Sequence, residues 1–122
     1  MTTVMLVDDS PTMLMSIKSI LTKQGLAVET AADGQEALER VQSGFKPDLV
    51  ISDVNMPRLD GIGFVRQARR AGLRFTPILM LTTESEQTKR DEAKAAGATG
   101  WLVKPVQADA LMTVIRQVVP GA

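Results

Sequence analysis

Cysteine and histidine are both missing from this 122-residue sequence, and the two absences remove most of the usual reactive chemistry. Without cysteine there is neither a disulfide nor a thiolate metal site, which suits a reducing cytoplasm. Without histidine no imidazole can serve as base, nucleophile or metal ligand. Phosphate or metal chemistry therefore falls to carboxylates, hydroxyls and lysine. Formal net charge is zero, and no basic stripe is long enough to track a nucleic-acid backbone, so no nucleic-acid partner is expected. The cationic cluster Arg66, Arg69, Arg70 and Arg74 reads as a solvated helix face in preference to a partner site. No segment approaches the apolar length of a membrane span, and the start Met1-Thr2-Thr3-Val4 lacks the charged and apolar regions of a signal peptide. The expectation is a soluble, cytoplasmic chain of one domain, residues 1–122, that buries about two-thirds of its unfolded surface and carries no second domain.

What is present is a set of five short apolar runs, four of which end in a reactive polar residue. Val4–Val7 runs into Asp8-Asp9, Leu49–Ser52 into Asp53, Ile78–Leu81 into Thr82, and Trp101–Val103 into Lys104, whereas Ala27–Ala31 ends in nothing reactive. Stretches of helical period separate them. Met13, Leu14, Ile17, Ile20 and Leu21 line one helix face, with Ser10 as cap, Pro11 at the first helical position and Gln24-Gly25 as stop. A second helix starts at Asp33 with Glu36 three residues on, a capping-box pattern, and ends near Gly44. A third follows Asp60-Gly61 with Ile62, Val65 and Ala68 inward and closes before Gly72, and a last carries Leu111, Val114, Ile115 and Val118. The fourth, Glu86 to Ala96, offers only Ala93, Ala95 and Ala96 as apolar residues, with Thr83 and Glu86 as its capping box. Such a helix is either a weakly held, moving element or simply an exposed one.

Strict strand–helix alternation predicts an α/β fold, a doubly wound five-stranded parallel sheet with right-handed crossovers and helices on both faces. Runs apolar throughout suit strands covered on both sides, and Glu29 with Thr30 marks Ala27–Ala31 as an edge. The common order 2-1-3-4-5 sets the first and third strands side by side and gathers the polar ends along one sheet edge, where ligands of such folds bind. Asp8, Asp9 and Asp53 then crowd together. One acid could merely cap a helix, but three on adjacent strand ends call for a hard divalent cation, and Mg²⁺ suits one or two carboxylates with waters and phosphate oxygens. A carboxylate so placed can also be a nucleophile that becomes an aspartyl-phosphate, and Asp53, alone at the end of the central strand, is the candidate. Lys104 would add positive charge, and the Thr82 hydroxyl could meet a phosphoryl oxygen.

At these residues the chain resembles the CheY-like receiver domains of two-component response regulators, over essentially its whole length. The matching pieces are Val7-Asp8-Asp9-Ser10, Ser52-Asp53-Val54-Asn55-Met56-Pro57 with Asp60-Gly61, Leu81-Thr82-Thr83-Glu84, Ala96-Gly97-Ala98, and Trp101-Leu102-Val103-Lys104-Pro105. CheY-like domains have the order 2-1-3-4-5, in a flavodoxin-like (βα)5 fold. The resemblance implies that Asp53 accepts a phosphoryl group from a phosphohistidine of a sensor kinase. It makes Asp9, Asp53 and the Asn55 backbone carbonyl direct Mg²⁺ ligands, with Asp8 acting through water. It implies that Lys104 contacts the phosphoryl group, that Thr82 and Trp101 form a switch pair, and that Lys104-Pro105 is cis. The family commonly carries Tyr or Phe at the position of Trp101, and a half-buried strand residue is the plain alternative there.

The leading expectation is a monomeric phosphoacceptor that is not an enzyme on external substrates. Phosphorylation would alter the face made by the fourth helix, fifth strand and fifth helix. The favoured target is the flagellar motor switch of chemotaxis, with a phosphatase as a possible further partner. A phosphate sink, a developmental regulator or a relay intermediate are the other roles open to the same chemistry. An aspartyl-phosphate hydrolase resembling the haloacid dehalogenases would need a second acid where Asn55 stands, which leaves slow self-dephosphorylation, with Asn55 and Glu84 flanking the site. A flavodoxin-like nucleotide carrier would need Ser, Thr and Gly after the first strand, where Asp8-Asp9 repels phosphate.

Overall fold

Every apolar run becomes a strand and every periodic stretch a helix in the computed structural model, which describes residues 1–83 and 87–122. The order is β1 (Thr3–Val7), α1 (Pro11–Lys23), β2 (Ala27–Ala31), α2 (Gly34–Gln42), β3 (Leu49–Asp53), α3 (Gly61–Arg70), β4 (Ile78–Thr82), α4 (Gln87–Ala96), β5 (Gly100–Val103) and α5 (Ala108–Val118). The strands pair in parallel in the order β2-β1-β3-β4-β5. β2 is an edge, as its polar residues indicated, and β1, β3 and β4 fill the middle.

Alternation of side chains along the strands splits the core into two layers. Val4, Leu6, Leu49, Ile51, Leu79 and Leu81 face α1 and α5 and pack with Ile17, Leu21, Leu111 and Ile115. Met5, Val7, Val50, Ile78 and Met80 face the other way and pack with Leu38 and Val41 of α2, Phe64 and Val65 of α3, and Ala93 and Ala96 of α4. The register Val4↔Leu49, Ile51↔Leu79 and Leu81↔Leu102 keeps each layer on one side. The two alanines are the buried residues of α4, so that helix is held by far less apolar area than its neighbours.

Helix starts follow the capping residues read from the sequence. The Met13 N–H donates to Ser10 Oγ at 3.3 Å with Pro11 in the first turn, and the Gly63 N–H donates to Asp60 Oδ1 at 2.7 Å. At α2 the Glu36 N–H donates to Asp33 Oδ1 at 2.8 Å, and Glu36 Oε2 accepts from the Ala32 N–H at 3.0 Å, one residue before the cap. Gly25, with φ 85°, turns the chain out of α1 in the left-handed region. The Thr83–Glu86 capping box and the start of the fourth helix at Glu86 involve Glu86, which lies outside the described residues, as does Glu84. The arginine cluster is not solvated throughout. Arg66, Arg70 and Arg74 are exposed, but Arg69 turns inward and donates to the carbonyls of Leu73 (2.7 Å), Thr76 (2.5 Å) and Gly97 (2.7 and 3.2 Å). It ties α3 to the approach to β4 and to the end of α4, and burial lowers its pKa.

Candidate functional site

Parallel strands deliver their C-terminal residues to one edge, and the register sets which of them meet. β1 and β3 are neighbours with Val7 opposite Ser52, so Asp8 and Asp53 come out side by side. One carboxylate oxygen from each of Asp8, Asp9 and Asp53 lies within 4.8 Å of the others. Asp8 and Asp53 are buried (1% and 8% exposed) and Asp9 faces solvent, so two acids of the cluster are withdrawn from water and one opens to it.

Lys104 reaches these acids from just beyond β5. Its Nζ stands 3.1 Å from Asp8 Oδ2 and 3.3 Å from Asp53 Oδ1, with the three side chains nearly withdrawn from water. The backbone places it, since the Lys104 N–H donates to the Thr82 carbonyl at 2.7 Å. The Lys104-Pro105 bond is cis, as the resemblance implied. Asp8 Oδ1 accepts from the Ser10 N–H at 2.9 Å, so Asp8 orders the turn into α1 while Ser10 caps the helix. Asp53 Oδ1 also accepts from the Val54 N–H at 2.8 Å. Burial is the main influence on the Asp53 carboxyl and raises its pKa above the usual 3.8, with Lys104 opposing and the Asp8 charge adding to the rise.

Three carboxylates and one ammonium leave two negative charges in excess in a partly dehydrated cluster. That donor set, all oxygen and all hard, fits a divalent cation such as Mg²⁺ and fits no soft metal. Asp8, Asp9 and Asp53 each offer a carboxylate oxygen to this point, and Asn55 lies two residues beyond Asp53 on the loop that leaves β3.

Thr82 ends β4 beside β3 and is wholly buried. Trp101 lies one strand further out, paired with Met80, on the α4 side of the sheet. It is half-buried, its indole N–H is shielded from solvent without an acceptor among the described residues, and the Arg90 guanidinium sits 5.8 Å above its ring. The structure thus brings Asp8, Asp9, Asp53 and Lys104 into one cluster and leaves Trp101 outside it. The strand-end positions already bring Lys104 to this edge; the structure adds that its ammonium bridges Asp8 and Asp53 directly. The sequence reading missed Arg58, whose guanidinium holds Asp33 through Nε (2.8 Å) and Nη2 (3.1 Å). Arg58 keeps the Asp33 carboxyl below its usual range, with the Glu36 N–H contributing next.

Comparison with known proteins agrees with this geometry. Residues 4–116 match the family model described as the response regulator receiver domain. The chemotaxis protein CheY4 of Vibrio cholerae superposes with a TM-score of 0.92 at 47% identity, covering 98% of this chain and 99% of that one. The receiver domain of the sensor histidine kinase PA1611 of Pseudomonas aeruginosa, solved with a magnesium ion coordinated in its active-site cleft, gives 0.88 at 28% identity over 95% of each chain. Among curated proteins, the response regulator MprA of Mycolicibacterium vanbaalenii is 39% identical over 113 residues, 93% of this chain and 48% of that protein. The chain therefore spans about half the length of the curated relatives it matches. No helix among the described residues is long and apolar enough to cross a membrane.

Proposed function

Because the chain belongs to the response regulator receiver domain family and is a phosphoacceptor of that kind, we propose that Asp53 is the residue that takes the phosphoryl group. Receivers of this family work with a cognate sensor histidine kinase and a downstream effector, and they catalyse only their own phosphorylation and dephosphorylation. In the transfer, an Asp53 carboxylate oxygen attacks the phosphorus of a phosphorylated imidazole on the kinase. The P–O bond forms as the P–N bond breaks, and the imidazole nitrogen leaves with the bonding pair and takes up a proton. Lys104, 3.3 Å from Asp53 Oδ1, is placed to meet a phosphoryl oxygen and to offset its charge. Asp8 keeps that ammonium aimed, and the Thr82 hydroxyl takes another oxygen once the group is attached.

Asp9, Asp53 and the Asn55 carbonyl would hold Mg²⁺ directly, with Asp8 acting through water. Bound there, the ion supplies positive charge to the transferring oxygens. The acidic cluster with two excess negative charges carries this reading, supported by the magnesium ion in the cleft of the similar PA1611 receiver. Movement of Thr82 toward the phosphoryl group would be answered by Trp101 on the α4–β5–α5 face, which then changes its affinity for the effector. We take that effector to be the flagellar motor switch, with the kinase and any phosphatase meeting the protein in the cytoplasm, and we take the chain to act as a monomer. The likeness to a chemotaxis protein along nearly all of both chains supports a role in chemotaxis.

The test is intact mass after incubation with acetyl phosphate, with and without Mg²⁺, on wild type and Asp53→Asn. One added phosphoryl group that needs both Mg²⁺ and Asp53 is expected. An addition that survives Asp53→Asn refutes the assignment. Binding of a purified motor-switch component that strengthens when the chain carries beryllofluoride tests the choice of target.

A further inference from the structure

Arg58 is the one non-glycine residue in the left-handed region among those described, with φ 66°. It lies on the loop between β3 and α3, three residues beyond Asn55 and five beyond Asp53. The Leu59 N–H donates to the Pro57 carbonyl at 2.8 Å, so Arg58 is the middle of a three-residue turn with positive φ, a rare and strained conformation. A long side chain stays in such a backbone only when its surroundings over-determine it, and strain of this kind gathers at functional sites.

Two sets of contacts over-determine this loop. At its base the Gly61 N–H donates to the Val54 carbonyl at 2.8 Å, and a Cβ on Gly61 would overlap the Asp53 carbonyl, so the start of α3 is wedged against the end of β3. At its tip the Arg58 guanidinium makes its two-pronged contact with Asp33, which is itself fixed by capping α2. Leu59 lies against the first residue of α2, so close that a side chain on Gly34 would overlap its carbonyl. The N-terminus of α2 is therefore the anchor, Asp33 and Arg58 are the link, and the loop that carries Asn55 is what they hold.

We propose that the Arg58–Asp33 ion pair is a positioning clasp for the β3–α3 loop and that it sets how tightly the acidic site takes up a divalent cation. This rests on the metal reading above, in which the Asn55 carbonyl is a ligand. Neither Arg58 nor Asp33 touches the ion; both act through the loop, as outer residues that orient metal ligands do.

The charges make the prediction discriminating. Arg58 is a cation near an acidic cluster, so if its charge were all that mattered, its removal would tighten cation binding. The clasp predicts the opposite. Mg²⁺ affinity is measured calorimetrically on the unphosphorylated chain for wild type, Arg58→Asn, Arg58→Lys, Asp33→Asn and the double variant, each with its melting temperature. Asparagine tolerates the left-handed backbone, and at position 33 it still caps α2, so both replacements keep the local fold. Arg58→Asn and Asp33→Asn should each weaken Mg²⁺ about three- to tenfold, at the modest end of outer-residue effects because the pair is partly exposed. The double variant should fall no further than the weaker single, Arg58→Lys should recover part of the loss, and melting temperatures should stay within about 3 °C of wild type. Unchanged or tighter Mg²⁺ binding in Arg58→Asn overturns the clasp, and so does a weakening that comes with a collapse in melting temperature. If wild type takes up no Mg²⁺, the metal reading fails and the clasp with it; if wild type binds and Arg58→Asn binds equally, only the clasp fails.

Discussion

Replacing Lys104 with methionine keeps the length and bulk of the side chain and removes only the ammonium that bridges Asp8 and Asp53. At separations of 3.1 and 3.3 Å each contact is worth about 5 kcal/mol in gross attraction at an effective dielectric near 20. Desolvation of all three groups offsets much of that, but removal of the cation alone leaves two buried carboxylates facing each other with nothing between them. Breaking a buried pair in this way costs about 3–5 kcal/mol, and the opening to solvent at Asp9 lets water in and favours the lower end. We therefore expect Lys104→Met to lose about 3 kcal/mol at pH 7, or about 12 °C in melting temperature for a domain of this size. The loss should shrink with acid. Burial already raises the Asp53 carboxyl above 3.8, and without Lys104 it rises further, so the folded chain takes up a proton before the unfolded chain does. The penalty is thus full above the folded pKa of Asp53 and fades as pH falls toward 3.8. Magnesium should also stabilise the variant more than wild type, by about 1.4 kcal/mol for each tenfold gain in affinity at saturation. Urea and thermal unfolding at pH 7 and pH 5, with and without Mg²⁺, measure all of this. A change under about 0.5 kcal/mol, independent of pH and Mg²⁺, would mark Lys104 as an ordinary surface lysine and refute the bridge.

The same reasoning makes Asp53→Asn more stable than wild type at pH 7, by about 1 kcal/mol, because it removes a carboxylate that burial disfavours; the gain should vanish as pH falls toward 3.8, and urea unfolding across that range checks it. Arg69→Met leaves the carbonyls of Leu73, Thr76 and Gly97 without their shared donor and should cost about 2–4 kcal/mol by urea unfolding, whereas a solvated arginine would cost almost nothing. Arg90→Ala should shift the emission of the single tryptophan, since the guanidinium 5.8 Å above the ring is lost, with under about 1 kcal/mol of stability lost alongside. An unchanged spectrum would mean that Arg90 does not sit on Trp101.

The parts of this molecule that the sequence reveals are those fixed by short-range rules. A run as short as Leu49–Ser52, bounded by Pro47-Asp48 and Asp53, fits a strand covered on both sides, and once the strands are parallel the polar residue after each is carried to one edge. Asp8, Asp9, Asp53 and Lys104 meet for that reason. Capping by Ser10, Asp33 and Asp60 is likewise local. Arg58 and Arg69 were not legible, because their partners are set by loop geometry: Asp33 is 25 residues from Arg58, and Gly97 is 28 from Arg69. Composition shows four arginines within nine positions but not that one of them turns inward to three carbonyls. The setting of Trp101 was open for a similar reason, since a residue in an edge strand can face either way until the register beside Met80 is fixed.

The thin attachment of α4 sets that helix apart from the acidic cluster. Among the described residues Ala93 and Ala96 are the buried ones of α4, Arg90 adds its contact with Trp101, and none of Asp8, Asp9, Asp53 and Lys104 lies on the helix. Its outward residues, among them Asp91 and Lys94, can thus be rewritten with little effect on the folded core or on the acidic cluster. On the recognition role proposed above for the α4–β5–α5 face, libraries that randomise the outer positions of α4 should yield new partner preferences while the acidic cluster keeps its geometry.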